Sequence, residues 1–336
     1  MAQTRPPARV LIYSATAGFR HDSIPTAIAA LKTNGSDINV EFDSTEDKTR
    51  FTVENLSQYD ALLFLSTTGE ILDDAGKAAF QAYLNLGGNF IGVHSSSDSL
   101  VNTTFYGREI GAYFDYHPAL QNATVDVLDN THPSTSMLPA EWHVRDEMYN
   151  FKSDPRTVGA VVLLAANESS YVDNGIRNFN QGTPHPLAWC QLHGSGADIN
   201  KQGVAGRSFY TSLGHLNETW QDELFLSHVL GGVSWVLQGN TTRAMNPSAS
   251  VGNIAGQSQS SSSSIAGSST SVQSFPAITS QPSGASFYRS GSTTAIVTVV
   301  AERKKQSRSA STPCDARSEV MNNVHEAESV DLRYHL

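Results

Sequence analysis

The sequence predicts an α/β protein: a doubly wound, mostly parallel sheet with helices on both faces. Apolar runs of strand length alternate along the chain with longer segments of helical character. This alternation is typical of parallel strands that are joined by crossover helices. Several runs, such as Ala61–Ser66 and Ala160–Ala165, are almost continuously apolar, as expected for strands that are covered on both faces.

The apolar runs and the helical segments define the expected elements in order. The predicted strands are Val10–Ser14, Asn39–Phe42, Ala61–Ser66, Asn89–Val93, Thr124–Leu128, Ala160–Ala165, Leu187–Leu192 and Arg207–Ser212. The predicted helices are Ile24–Thr33, Asp73–Leu86 and Trp220–Leu237. Ser23 is expected to cap the first helix, and Gly87-Gly88 to end the second. The segment His117–Phe151 is less regular, and we expect it to decorate the carboxyl edge of the sheet.

Composition divides the chain of 336 residues into two parts. Residues 1–240 have the composition of a globular α/β domain, whereas residues 241–336 form a Ser-rich tail. We expect the tail to be largely disordered, because it has too little apolar surface to offset its ordering entropy. Its apolar run Ala295–Ala301 is shorter than the roughly 20 residues that a membrane span requires. The net charge of −10 and the lack of a basic patch argue against a nucleic-acid partner.

The sequence leaves the cellular compartment open. The first predicted strand follows Met1 so closely that there is no room for a signal peptide, so the chain as written is expected in the cytoplasm. If the gene model lacks a leader, the protein would instead be a secreted or cell-surface glycoprotein. The second interpretation fits the sequons at Asn34, Asn55, Asn102, Asn122, Asn167, Asn217 and Asn240.

Histidines follow three of the predicted strands. His21 lies in the loop after the first strand, His94 follows Asn89–Val93 directly, and His215 follows Arg207–Ser212. Because the carboxyl ends of neighbouring parallel strands gather in one crevice, we expect these imidazoles to meet there. The sequence therefore predicts a catalytic centre that contains His21, His94 and His215.

Asp146 and Glu147 are the acidic candidates for the same centre. Carboxylates beside histidines can act as a base, as an orienting group or as metal ligands. Neighbouring residues of a strand face opposite ways, so only one of the two carboxylates would enter the site. The expected substrate contacts are the first loop, the residue after His94 and one aromatic side chain: Gly18, Phe19, Arg20, Ser95 and Tyr149.

A divalent metal ion such as zinc is a further expectation for this crevice. Its candidate ligands are His94, His117 and His215, and His132 is another loop histidine that could reach the crevice. No local spacing such as H-x-x-x-H supports a metal, so the expectation depends on the predicted convergence. A serine nucleophile at Ser95 or Ser96, with His215 as base, is an alternative, although the G-x-S-x-G pattern is absent.

Several of these segments resemble the ThuA-like (trehalose utilisation) proteins. The segments recur there in the same order: Gly18–Ser23, Gly87–His94, His132-Pro133, Asp146–Tyr149, Pro186–Trp189 and Gly206–His215. The resemblance covers about residues 8–238 and implies a class I glutamine amidotransferase-like fold. Amidotransferases of this fold use a cysteine at the turn that carries His94 here, and a His–Glu pair downstream. His215 is similar to that histidine but its acid is displaced to Glu218, so we expect thiolate chemistry on glutamine to be lost.

The resemblance implies a role in disaccharide catabolism, on sugars that include oxidised (keto) forms. We therefore predict a sugar-active enzyme, a hydrolase, lyase or isomerase, that uses acid–base chemistry with or without a metal ion. Phe19, Tyr149 and Trp189 could pack on sugar faces, although Trp189 fits the core equally well. The alternative is a non-catalytic carbohydrate-binding protein on a flexible stalk. In both cases the expected partner is a small carbohydrate.

Overall fold

A nine-stranded mixed sheet is the framework of the computed structural model, which describes residues 6–199, 203–239 and 241–253. Its strands are β1 (Ala8–Tyr13), β2 (Val40–Thr45), β3 (Ala61–Leu65), β4 (Asn89–Val93), β6 (Gln121–Val127), β7 (Glu141–Asp146), β9 (Val161–Ala166), β10 (Pro186–Gln191) and β11 (Ser208–Thr211). Two short strands, β5 (Phe114–Tyr116) and β8 (Asn150–Phe151), pair with each other. The α-helices are α1 (Ile24–Asn34), α2 (Val53–Leu56), α3 (Asp74–Asn85), α4 (Thr104–Ile110), α5 (Glu223–Leu237) and α6 (Thr242–Met245).

The sheet is half parallel and half antiparallel, which corrects the expectation of a mostly parallel sheet. The strand order is β2-β1-β3-β4-β11-β10-β9-β6-β7. Neighbours from β2 to β11 are parallel, and neighbours from β11 to β7 are antiparallel. The described residues contain no α-helix between Ile110 and Glu223, and antiparallel neighbours need no crossover helix. The α/β class is confirmed, but the continuous alternation of strands and helices holds only for the first half of the chain.

The helices cover both faces of the parallel half, and the pleat of β1 shows how the faces divide. Val10 and Ile12 belong to one buried cluster, and Leu11 and Tyr13 belong to another, because successive strand residues point to opposite faces. The first cluster packs against α1 and α5 through Ala27, Leu31, Val229 and Val233. The second packs against α3 and α4 through Phe80, Tyr83, Tyr106 and Ile110. The doubly wound arrangement therefore holds where the strands are parallel.

The segment 117–151 is more regular than its sequence predicts, since it contains β6, β7 and β8. β6 and β7 form the outer hairpin of the antiparallel half. Their burial alternates: Ala123, Val125 and Trp142 are buried between more exposed neighbours. A strand with one covered face has few apolar residues. Continuous apolar runs in the sequence therefore indicate part of β6 but do not indicate β7.

The antiparallel half curves back towards the carboxyl ends of the parallel strands. β7 and β11 are separated by four strand steps, which in a flat sheet would place them about 19 Å apart at a spacing of about 4.8 Å per step. Instead, the backbone N–H of Gly214, just after β11, donates to Oδ2 of Asp146, the last residue of β7, at 2.8 Å. The curvature therefore brings the end of β7 to the ends of β4 and β11.

The packed region continues beyond the expected domain boundary at residue 240. The backbone N–H groups of Thr242 and Asn253 donate to Oδ1 of the buried Asp60, at 2.9 and 3.1 Å. A buried carboxylate needs such donors, and this requirement ties part of the expected tail to the domain. Residues 254–336, with the apolar run Ala295–Ala301, lie outside the described residues. In the described ranges, no helix has both the length and the apolar character of a membrane span.

Candidate active site at the carboxyl edge of the sheet

His94 occupies a sharp turn directly after β4. Its φ of 56° lies in the left-handed region, which residues with a Cβ atom seldom adopt. Its Nδ1 donates to the carbonyl of Ser212 at 2.7 Å, and the hydroxyl of Tyr210 donates to the carbonyl of His94 at 2.9 Å. Because a carbonyl can only accept, the proton of a neutral His94 is on Nδ1, and Nε2 directs its lone pair into the site.

His21 lies on the loop after β1, and Thr68 holds that loop in place. The N–H of Gly18 donates to Oγ1 of Thr68 at 3.2 Å, and the same hydroxyl donates to the carbonyl of Phe19 at 2.7 Å. His21 Nε2 lies 3.0 Å from His94 Nε2. His21 Nδ1 lies 3.3 Å from Oγ of Ser95. The loop thus directs one nitrogen of His21 at His94 and leaves the other to a hydroxyl.

Gly214 sets the direction of His215 after β11. Its φ of 127° is accessible mainly to glycine. Its carbonyl accepts from Trp220 Nε1 at 3.0 Å and from Ser23 Oγ at 3.4 Å. Ser23 is the N-cap residue of α1, as expected, but its side chain makes no capping hydrogen bond to the helix. Its hydroxyl instead joins the His21 loop to the His215 turn.

Asp146 and Glu147 have different tasks at the end of β7. The Asp146 carboxylate accepts the N–H of Glu147 and the N–H of Gly214, each at 2.8 Å. The Glu147 carboxylate faces the histidines, with Oε2 3.2 Å from His215 Nδ1 and 3.8 Å from His94 Nε2. Asp146 therefore fixes the two turns, and Glu147 supplies the charge inside the site.

His21, His94, Glu147 and His215 each direct one ligand atom to a common point, and these atoms all lie within 4.8 Å of one another. We refer to these residues as the carboxyl-edge cluster. His117 lies outside it: its Nε2 is 3.5 Å from the other Glu147 oxygen, Oε1. His132 does not reach the site, because it is fully buried and bonds to Ser134.

Burial and charge set the protonation of the cluster. Burial, aided by the charge of His215, lowers the pKa of His21 to about 4. Burial also lowers the pKa of His94 well below its ordinary value. Hydrogen bonding to the Glu147 side chain raises the pKa of His215, and burial raises the pKa of Asp146 to about 6. At neutral pH His21 and His94 are therefore uncharged and offer lone pairs.

A comparison with family models matches residues 9–236 to ThuA, described as trehalose utilisation. The chain belongs to the ThuA family. A ThuA-like protein from Bacteroides uniformis has a similar fold, with a TM-score of 0.53 and 20% sequence identity, over 72% of this chain and 97% of that one. A ThuA-like protein from Parabacteroides merdae matches with a TM-score of 0.53 and 18% identity, over 70% of this chain and 92% of that one. Among curated proteins there is no match.

This ThuA family member departs from the amidotransferase pattern at two positions. The sharp turn that would carry a cysteine carries His94. The acid near His215 is Glu147, which directly follows β7, and not Glu218, which lies at the start of a short 3-10 helix. The sequence named Asp146 and Glu147 as the acidic candidates for this centre, and Glu147 is the one whose carboxylate lies beside His215.

The other expected contact residues separate into buried and exposed groups. Tyr149 is buried, its hydroxyl lies 3.1 Å from His94 Nε2, and its carbonyl contacts His185 Nε2 at 2.8 Å. The Phe19 ring is 67% exposed, with its centroid 4.8 Å from that of His21. Arg20 pairs with Glu46 on the surface. Trp189 is in the core, where its Nε1 donates to the carbonyl of Ile110. No role for His185 follows from the sequence, and the structure identifies this residue as a support of Tyr149.

A cavity of about 1120 Å³ lies at the opposite, amino edge of the sheet. Its lining includes Arg108, His193 and Arg207, which precedes β11. We place the candidate site at the carboxyl-edge cluster, because that cluster holds the group of convergent metal-ligating atoms found among the described residues. Perturbed titratable groups in mutual contact indicate function more directly than cavity size.

Proposed function

We propose that this ThuA family member is a sugar-active enzyme whose reaction takes place at the carboxyl-edge cluster. The observation that carries the proposal is the convergence of three imidazoles and one carboxylate from four separate segments within 4.8 Å. Burying such groups together costs stability, which favours a role in chemistry over a role in folding. The description of the family as trehalose utilisation supports a disaccharide or a keto-sugar as the substrate.

The chemistry that fits the cluster is proton transfer beside a sugar carbonyl or at a glycosidic oxygen. His21, His94, Glu147 and His215 form the polar centre that binds the reacting oxygen, and Asp146 orients it through Glu147 and Gly214. The proposed substrate contacts are Gly18, Phe19 and Arg20, which are exposed on the His21 loop, and the buried Ser95 beside His21.

Tyr149 and His117 are the groups beside the cluster that exchange protons with the substrate. Burial raises the pKa of the Tyr149 phenol well above its ordinary value, so it is a proton donor. His117 Nδ1 donates to the carbonyl of Pro118 at 2.9 Å, so Nε2 is the nitrogen through which this ring would accept a proton. A donor and an acceptor on one side of the cluster suit an elimination or a hydrolysis.

The test is turnover of disaccharides and their keto derivatives by the full chain. We expect the wild type to turn over at least one of these sugars, and Tyr149→Phe and His117→Ala to lower kcat by about 100-fold or more. His143→Ala is the matched control, since His143 is exposed and bonds to Thr124 on the outer hairpin. Equal turnover in all three variants would contradict the roles proposed for Tyr149 and His117.

The alternative, a non-catalytic carbohydrate-binding protein, is supported by Phe19. An exposed aromatic ring beside a polar centre can stack on a sugar face without any reaction. In that case a disaccharide raises the melting temperature of the wild type, the rise is lost in Phe19→Ala, and no sugar in the panel is converted. Labelling of Ser95 by a serine-reactive probe would instead favour an amidase.

A further inference from the structure

Two polar groups of the carboxyl-edge cluster, the Nε2 atom of His21 and the hydroxyl of Tyr149, face the single lone pair of His94 Nε2. His94 Nε2 lies 3.0 Å from His21 Nε2 and 3.1 Å from the Tyr149 hydroxyl. Its ring proton is on Nδ1, bonded to the Ser212 carbonyl, so Nε2 has a single in-plane lone pair to offer. One lone pair cannot accept two good hydrogen bonds, whereas a cation between His21 and His94 would use a lone pair from each.

We propose that His21, His94, Glu147 and His215 bind one divalent transition-metal ion, and that zinc fits the donor set. Imidazole nitrogens with one carboxylate oxygen are ligands that zinc and its neighbours in the first transition row accept. The assignment rests on the proposed function, because it concerns the same site. It replaces the ligand set expected from the sequence, since His117 lies beside the second Glu147 oxygen.

The distances between the four donor atoms agree with this assignment. Metal–ligand bonds of about 2.1 Å in a tetrahedral site place neighbouring ligand atoms about 3.4 Å apart. The measured separations are 3.0 Å for His21–His94, 3.2 Å for His215–Glu147 and 3.8 Å for His94–Glu147. These three distances are within about 0.4 Å of the tetrahedral value, and the remaining pairs of donor atoms lie within 4.8 Å, so an ion can enter once the side chains adjust.

The surrounding contacts have the form that holds metal ligands in other proteins. The second nitrogen of a ligating histidine commonly donates to a backbone carbonyl, as His94 Nδ1 does to Ser212. Asp146 accepts one N–H from Glu147 and one from Gly214, next to His215. Two ligand-bearing segments are thus fixed by one buried carboxylate before any ion binds. The Tyr149 hydroxyl borders the centre and is available to a bound sugar oxygen.

The test measures metal binding by the full chain without a polyhistidine tag and without sugar. We expect about one zinc per chain by elemental analysis after zinc loading and desalting, and cobalt substitution should give the visible bands of a low-coordinate site. His94→Ala and Glu147→Gln should each fall below about a tenth of the wild-type metal content. Glu147→Gln keeps the shape of the side chain, and circular dichroism verifies that both variants are folded.

Two histidine variants provide the controls. His143→Ala and His117→Ala should both retain about one zinc per chain, because neither side chain belongs to the four ligands. A wild type that retains less than about a tenth of an equivalent, or wild-type zinc content in folded Glu147→Gln, would overturn the metal site. Loss of zinc in His117→Ala with retention in His21→Ala would overturn the ligand set.

Different experimental results would contradict the metal site and the proposed function. Zinc binding with no turnover of any sugar would leave the metal site standing and contradict the enzyme. Turnover by a wild type that retains less than about a tenth of an equivalent of zinc would support the enzyme and contradict the metal site.

Discussion

Among the described residues, the histidines of the carboxyl-edge cluster and the buried histidines on the α5 side have ring nitrogens that face different partners. In the carboxyl-edge cluster, His21 faces His94, and His215 faces a carboxylate. On the α5 side, His228 bonds through Nδ1 to the Ser134 carbonyl and through Nε2 to the Thr211 hydroxyl. Neutral partners of this kind satisfy an imidazole in the folded state and leave nothing for a ligand.

Burial alone does not separate the two sets. It lowers the pKa to about 4 for both His21 and His228, and to about 3 for His132 beside His228. The difference lies in convergence: four titratable groups meet in the cluster, whereas His132 packs against Trp235 and bonds to Ser134. A lowered pKa therefore identifies burial, and mutual contact between titratable groups identifies a site.

The largest expected effect is a contrast between two alanine substitutions, one of which lowers turnover and the other the stability of the fold. His94→Ala should lower turnover by about 100-fold or more, with a smaller loss of stability. His228→Ala should keep turnover but lower the free energy of unfolding by about 2–3 kcal/mol, because it removes two buried hydrogen bonds and opens a cavity. Steady-state kinetics and urea unfolding on both variants provide the comparison. If the His228 variant loses turnover while it remains folded, the two sets are not functionally distinct.

Asp146→Asn should weaken metal binding by about 10- to 100-fold, because Asp146 orients two ligand-bearing turns without contacting the ion. The asparagine keeps one acceptor and loses the charge and the second acceptor that Gly214 or Glu147 uses. Competition with a zinc indicator dye measures the affinity. An unchanged affinity would mean that the turns hold their positions without this carboxylate.

The pH dependence of stability should reveal the buried neutral state of His228. Its pKa is lowered from 6.5 to about 4, so on acidification the unfolded chain takes up a proton well before the folded chain does. Stability from this residue is complete above pH 6.5 and is lost as the pH falls towards 4. In this window the wild type should lose up to about 1.4 kcal/mol per pH unit relative to His228→Gln. Parallel urea-unfolding curves for the two proteins would contradict the assignment.

The smallest effect concerns the backbone of the turn after β4. His94→Gly and His94→Ala both remove the imidazole, but only glycine adopts a φ of 56° without strain. The glycine variant should therefore be more stable than the alanine variant by about 1 kcal/mol, measured by urea unfolding. Equal stabilities would mean that the turn relaxes once the imidazole is gone.

The sequence predicted the parts of the site that depend on strand ends. His94 and His215 follow strands that are apolar enough to recognise, β4 and β11, and these strands are parallel neighbours. The loop of His21 follows β1, in the same half of the sheet. The resemblance to the ThuA family was confirmed by the match over residues 9–236.

The sequence could not rank the remaining histidines, and it could not decide between Asp146 and Glu147. His117 and His132 both lie in loops before a proline, yet His117 contacts Glu147 and His132 is sealed in the core. Glu218 is closer to His215 along the chain than Glu147 is, but Glu147 lies 3.2 Å from it. Ser23 has the residue type of a cap and donates instead to Gly214. In each case a contact with a segment that is distant along the chain decides the partner of the side chain. Local sequence patterns carry no information about such contacts.

By itself, the amino-acid sequence determined the alternating first half of the fold, the turn that presents His94, and the family. Only the tertiary structure decided which carboxylate joins the histidines, because the curvature of the antiparallel half brings Asp146 within 2.8 Å of the Gly214 N–H. The tertiary structure also decided which histidines converge in the cluster and which are buried elsewhere in the core. Strand periodicity depends on neighbours along the chain, whereas the cluster depends on contacts between segments that meet only after the sheet has formed.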